Sequence, residues 1–445
     1  MTKYLIFLIF AFICFVLIKR DRIYVVPIIL IIYSNLNGLL DWEDFALRGL
    51  IKFQDYGLLL TFIALFLYSR YKLRSSIPIF NYKKTILFRF VLAYWLYYVF
   101  LFIYSILIQG DVEWPIKMGR PFFYGLVVFL IAMEAERNNP IVSIVKIINC
   151  LKYFTLLFGV LYVAYNIGGF DIYPKEEYES FEVSGLGAVK RNFSGFPTFT
   201  FYFLIFFLDK ILRDKKRSLL DIFGVFLMMA CVALTLTRGA ILTMGVVISI
   251  TLIYRIPTAS SIRRSIALGS IFVLSLPLLA EYGRGHLEVL ALRFGEFVDG
   301  GGVTQSGNFL ARSREFSSIL ANVLDFNPVF GFGFTNVAEL GYRSNLIHGG
   351  SADNGFSNLI GVTGFMGLAI FTGIIVSWIL VNLKLQSLKQ EVLSKVNFVF
   401  IIFMIVSFLN GASMSYMHAY GLFMVYDLMA LSYLLSKFRV REIST

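Results

Sequence analysis

Residues 231–249 read "CVALTLTRGAILTMGVVIS". One guanidinium, Arg238, separates two apolar runs, 218–236 and 239–254, each about as long as a short membrane-crossing helix. An arginine at bilayer depth costs at least ~2.5 kcal/mol at the centre and less near the interface. Two readings stay open from these residues alone. Arg238 binds an anionic ligand, or it snorkels to lipid headgroups or pairs with a loop carboxylate.

The rest of the chain sets the solvent. Of 445 residues, 58% are hydrophobic, 17% aromatic and only 15% charged, with a mean hydropathy of +0.76, which excludes an ordinary water-soluble protein. The expectation is an all-α polytopic membrane protein with about 12–13 transmembrane helices, forming a single integral membrane domain over 1–445. Apolar runs lie near 4–18, 23–40, 57–69, 86–108, 119–133, 148–167, 195–209, 218–236, 239–254, 264–280, 355–381, 396–410 and 418–436. The first is followed by "KRDR" and not by a small-residue cleavage site, so it reads as an uncleaved span.

The formal net charge of +12 could suggest a nucleic-acid partner, but the basic residues fall mostly in short loops between apolar runs. There they set topology and meet anionic lipid, and no nucleic acid is expected. Lysine and arginine gather after the first, third, seventh and ninth runs, around 384–395 and in the tail "SKFRVRE", all on one face of the bundle. The positive-inside rule makes that face cytoplasmic. Thirteen spans with the tail inside leave Met1 outside. Cys14, Cys150 and Cys231 sit in or beside apolar runs, away from any disulfide or metal-ligand spacing. Neither a Walker loop nor a Rossmann fingerprint is present, and no metal or other cofactor is expected.

Two segments on the opposite face are long: a smaller loop, 168–194, and a large one, 282–353. The large loop carries Arg284, Arg293, Arg312, Arg314 and Arg343 but no lysine. A planar fork that grips phosphate or carboxylate in bidentate fashion calls for arginine. The alternative is pairing with the loop's own Glu288, Glu296, Asp299, Glu315, Asp325 and Glu339. Within it, "SGNFLARSREFSSILANVLDF" sets Phe309, Phe316, Ile319, Leu320, Val323 and Leu324 along one helical stripe, with Arg312, Ser313 and Glu315 off it. The following "NPVFGFGF" has the glycines for tight turns and close backbone approach.

The chain re-enters the membrane through "HGGSADNGFSNLIGVTGFMGLAIF". Ser351 or Asp353 can cap a helix start, and Gly361, Gly364 and Gly367 offer a small-residue face for close packing against a neighbouring helix. The positive end of this helix, like that of the span opened by Arg238, points to the outer face, where an anion would be held. All three histidines, His286, His348 and His418, fall on that side in this topology. His348 or Asp353 could serve as a base at a hydroxyl group.

"TLTRGAIL", "ARSREFSSILANVLDFNPVFGFGFTNV" and "DNGFSNLIGVTGFMG" resemble, in order and separation, three elements of the O-antigen ligase and polymerase superfamily of bacterial envelope enzymes, over roughly 190–440. Asp353 stands where ligases commonly have histidine, which tilts the resemblance toward the polymerases. The resemblance implies a bundle like the C-type glycosyltransferases, in the bacterial inner membrane, with its active site facing the periplasm. It implies a metal-independent transfer between undecaprenyl-diphosphate-linked oligosaccharides, one as donor and one as acceptor, with membrane lipid and a chain-length regulator protein as further partners. A ligase acting on lipid A core is the first alternative, and a flippase or transporter of lipid-linked oligosaccharide the second. On this reading Arg238 and Arg312 or Arg314 hold the diphosphate, and Asp353 or His348 handles the acceptor hydroxyl. Asn354 positions these groups, and Arg343, Lys190, Arg191, Arg284 and Arg293 contact lipid or sugar.

Overall fold

The computed structural model describes residues 2–34, 53–72, 86–127, 129–130, 140–168, 179–183, 187–191, 196–197, 199–213, 218–236, 238–255, 288–289, 307–337, 339–341 and 355–386. The first half comprises α1 (Thr2–Arg20), a 3-10 turn (Arg22–Tyr24), α2 (Val25–Tyr33), α3 (Phe53–Lys72), α4 (Ile86–Gln109), α5 (Glu113–Phe123) with a second 3-10 turn (Tyr124–Leu126), and α6 (Pro140–Gly168). A short antiparallel hairpin follows, β1 (Glu179–Val183) and β2 (Gly187–Arg191). Then come α7 (Thr200–Arg213), α8 (Leu219–Leu234), α9 (Arg238–Arg255), α10 (Gly307–Phe326) and α11 (Gly355–Gln386).

The protein is an all-α polytopic membrane protein. In hydrocarbon every backbone N–H and C=O must be satisfied within the protein, and these apolar runs meet that demand as helices. Among the described residues, Arg89–Gln109, Val145–Ile167 and Leu359–Ser377 are long and apolar enough to cross a membrane. Arg22–Tyr33, Asp55–Leu67, Leu219–Leu234 and Gly239–Tyr254 are shorter apolar helices. Large apolar side chains such as Leu8, Phe12, Phe62, Phe66, Leu96 and Leu107 are exposed, as a lipid-facing surface requires. The runs at 264–280, 396–410 and 418–436 lie outside the described residues.

Three departures from the sequence reading have physical causes. The fifth helical segment begins at Glu113, ahead of its apolar run, because the Asp111 carboxylate accepts from the backbone N–H groups of Glu113 and Trp114 and starts the helix there. The smaller loop contains the β1–β2 hairpin, whose register pairs Val183 with Gly187 around the turn. On α10, Leu324 is 55% exposed and leaves the apolar stripe. At about 100° per residue it lies about 100° round the helix from Val323, which is fully buried.

Charge is buried at the junction of α7 and α8. Asp209 and Asp221 are almost fully buried; Lys210 pairs with Asp221 at 2.7 Å and Arg213 with Asp209 at 3.3 Å. Gly224 of α8 lies under the Phe207 ring of α7, which lets the two helices approach closely. Leu227 and Met228 of α8 pack over Gly159 of α6.

The feature that places the candidate site is a break in α11. Gly364 has φ 59° and ψ −167°, a conformation essentially restricted to glycine, and it interrupts the helical hydrogen-bond ladder inside a span. The freed groups are taken up by the loop that follows α10. Phe332 N–H donates to the Gly361 carbonyl at 2.8 Å and Gly333 N–H to the Val362 carbonyl at 3.0 Å. In return, Phe365 N–H donates to the Pro328 carbonyl at 2.9 Å and Met366 N–H to the Val329 carbonyl at 3.1 Å. Gly331 and Gly333 both have positive φ, and a Cβ on Gly331 would sit 2.5 Å from the Gly361 carbonyl oxygen.

Replacing Gly364 with Ala sets a Cβ 2.6 Å from Gly331 N and forces a strained φ. It should lower stability by at least ~2 kcal/mol, seen as a reduced thermal midpoint of the detergent-solubilised protein. Gly245→Ala, where nothing lies within 4 Å of the new Cβ, should be neutral or stabilising by ~0.5–1 kcal/mol. Equal midpoints for the two variants would contradict the backbone exchange.

Candidate functional site

Arg238 is the first residue of α9. It is placed there by a very short connection from α8, in which Thr235 N–H and Oγ both donate to the Val232 carbonyl, at 3.2 and 2.7 Å. Leu236, fully buried, then adopts a left-handed φ of 50° and donates its N–H to the Ala233 carbonyl at 3.1 Å. For a leucine this conformation stores roughly 1–3 kcal/mol of strain. It turns the chain so that a guanidinium residue opens a helix, where the dipole disfavours a cation and favours an anion beside it. The Arg238 side chain itself lies outside the described residues.

The two arginines of α10 part company. Phe316, Ile319, Leu320, Val323 and Phe326 pack toward Phe332, Val337 and Ile360. By helix geometry Arg312 occupies that same face, within about 20° of Ile319 and Val323, whereas Arg314 lies about 160° from Phe316. Arg314 is exposed. Arg312 stands one turn before Phe316 along the helix, and its side chain lies outside the described residues.

The loop joining α10 to the broken helix is tied down by side chains. Asn327 Oδ1 accepts from the N–H groups of Val329 and Phe330, both at 3.1 Å, and its Nδ2 donates to the Tyr104 hydroxyl at 3.1 Å. Phe332 stacks on Phe326 with ring centroids 5.0 Å apart. Further support comes from one face of α4. The Tyr97 hydroxyl donates to the Thr363 carbonyl at 2.6 Å, next to the break. Ser105 Oγ accepts from Phe334 N–H at 2.7 Å, and Gln109 Oε1 from Asn336 N–H at 2.6 Å. Glu339 closes the set by accepting from Gln109 Nε2 and, at 2.7 Å, from Asn336 Nδ2.

These supports were missed in the sequence. The available signal was the recurrence of Tyr97, Ser105 and Gln109 at intervals of eight and four, which puts polar side chains on one face of an otherwise apolar helix. Of the other candidates, Lys190 and Arg191 lie on β2 in register with Ser180 and Glu179, and their side chains lie outside the described residues. Arg284, Arg293, Arg343, His348, Asp353 and Asn354 also lie outside them. α9 packs on α7 and α8, while α10 packs on α11. Among the described residues, no three His, Cys, Asp or Glu side chains converge as a metal site requires.

Residues 223–372, from α8 through the break in α11, match the family model described as O-antigen ligase. This matched segment is what the chain shares with that family. The match supports the O-antigen ligase and polymerase superfamily, whose members are glycosyltransferase-like enzymes of lipopolysaccharide biosynthesis acting on lipid-linked oligosaccharides in membranes. No curated protein matches the chain. The matched segment contains Arg238, both α10 arginines, the Asn327 loop and the Gly364 break, but α4 lies wholly before it. Tyr97→Phe removes the hydroxyl held to the Thr363 carbonyl and leaves that carbonyl short of a donor. It should cost about 1–3 kcal/mol of stability, read as a lower thermal midpoint in detergent.

Proposed function

We propose that this protein is an O-antigen polymerase of the bacterial inner membrane with its active site at the periplasmic face. The observation that carries the reading is the order of elements within the matched segment. An arginine opens α9, the α10 helix and Gly-x-Gly loop follow, and that loop is built into α11 at the Gly364 break. The reaction joins two undecaprenyl-diphosphate-linked oligosaccharides. The acceptor hydroxyl oxygen forms a bond to the anomeric carbon of the donor sugar, the bond from that carbon to the diphosphate oxygen breaks, and the hydroxyl proton passes to Asp353 or His348. Undecaprenyl diphosphate departs as the leaving group.

Negative charge grows on the diphosphate as the bond breaks. Fixed guanidinium groups and helix N-termini stabilise that charge without reorganising during the reaction, and in the proposal no metal is needed. Arg238 and Arg312 supply the clamp. Arg314, exposed on the opposite face of α10, drops to a secondary position. Asn354 orients the acceptor, and Arg343, Lys190, Arg191, Arg284 and Arg293 serve lipid or sugar contacts. A ligase acting on lipid A core would use nearly the same donor site, and Asp353 in the position where ligases carry histidine favours the polymerase.

The test is turnover of a lipid-linked repeat unit by the purified protein in vesicles. Arg238→Lys keeps the charge and removes the fork, so it should reduce the rate at least ~100-fold with membrane insertion intact. Arg312→Lys should fall strongly and Arg314→Lys should stay within about twofold of the parent. Full activity in Arg238→Lys would overturn the clamp. Equal losses in the two α10 variants would overturn the division between them.

A further inference from the structure

Hydroxyls inside apolar helices normally bond back to the carbonyl one turn earlier. Here Thr155 donates to the Leu151 carbonyl at 2.8 Å, Thr251 to Val247 at 2.8 Å, Thr363 to Leu359 at 2.6 Å and Thr372 to Leu368 at 2.8 Å. Ser357 does not follow them. It is fully buried, and its Oγ has no hydrogen-bond partner among the described residues. The reason is positional. Ser357 is the third residue of α11, so the carbonyl four residues back belongs to position 353, ahead of the helix.

A buried hydroxyl without a partner costs roughly 1–3 kcal/mol, so alanine would suit the ligand-free fold as well or better. Its surroundings offer little relief: Leu359 and Ile360 are buried close by along α11, and Ile360 packs with Ile319, Val323 and Phe332. Helical side chains tilt toward the N-terminus, which aims the Ser357 hydroxyl at the start of α11. The first four N–H groups of a helix lack an intrahelical acceptor and stand at the positive end of the dipole. Unpaired backbone donors and a hydroxyl able to donate, at the positive end of a dipole, favour an anion rich in acceptor oxygens.

We infer that Ser357 donates a hydrogen bond to a phosphate oxygen bound at the N-terminus of α11. The ligand class is a phosphate or diphosphate ester. The inference rests on the proposed function, under which the diphosphate of the lipid-linked donor is that ligand; the headgroup phosphate of a membrane phospholipid has the same chemistry. Ser357 is thereby assigned as a substrate-binding residue in addition to the arginine clamp.

The experiment titrates the purified full-length protein in detergent with inorganic pyrophosphate by calorimetry and measures its ligand-free thermal midpoint. Ser357→Ala should bind pyrophosphate about tenfold more weakly while its midpoint stays level or rises. Unchanged affinity in Ser357→Ala would overturn the inference, and so would a lowered midpoint, which would give the hydroxyl a structural partner. Arg238→Lys separates the two readings. Weaker binding there with normal binding in Ser357→Ala leaves the clamp standing and removes only Ser357. Weaker binding in Ser357→Ala with normal binding in Arg238→Lys keeps the anion site and removes the clamp. Phosphatidylglycerol added to the micelles should not displace pyrophosphate; if it does so in the parent and not in Ser357→Ala, the site holds a headgroup and the donor assignment is overturned.

Discussion

A helix broken inside a membrane has to find partners for the backbone groups it releases, and the rest of this architecture depends on how that is done. At Gly364, α11 gives up part of its ladder, and the loop at 328–333 supplies replacement donors and acceptors in equal number, two each way. No water is needed for this exchange, which is the condition under which irregular backbone is tolerated at membrane depth. Its geometry leaves no room for side chains at Gly331 and Gly364, so each glycine is required by the other's backbone. The asparagine turn at Asn327 and the stacked Phe326 and Phe332 then fix the direction from which α10 enters.

The first half of the chain supports the second. α4 runs antiparallel to α11, with Phe90 against Gly373, Tyr94 near Phe371 and Tyr97 at the break. Ser105 and Gln109 of the same helix hold the far side of the loop. The segment that matches the family model therefore leans on a helix outside its own span. In the proposed polymerase this division has a mechanical meaning. The proposed donor-binding groups sit on a loop and helix ends, and α4 holds that loop in position by hydrogen bonds.

Much of the fold was legible in the residues because hydrocarbon leaves few alternatives. The apolar runs at 86–108, 218–236 and 239–254 correspond to α4, α8 and α9 within a few residues. The helix at Gly307–Phe326 was visible from its stripe, and the start of α11 from the apolar run at 355–381. The break was not legible. Gly361, Gly364 and Gly367 fit a small-residue face for helix packing equally well, and periodicity cannot reveal that the close neighbour is a loop's backbone. Exposure of Leu324 was also hidden, since an apolar stripe in the sequence spans more than half the helix and only the packing partners Phe332, Val337 and Ile360 say where its centre lies. Leu236 carried no signal at all, because nothing in a leucine announces a positive φ.

The central claim is polymerisation of lipid-linked repeat units, and the surface polysaccharide of a strain lacking this gene tests it most directly. Run as a ladder on a gel beside the intact strain, the account predicts lipid A core bearing a single repeat unit, with ligation preserved and extension lost. Loss of every repeat from the core, with long polymer accumulating on the carrier lipid, would contradict it and make the protein a ligase.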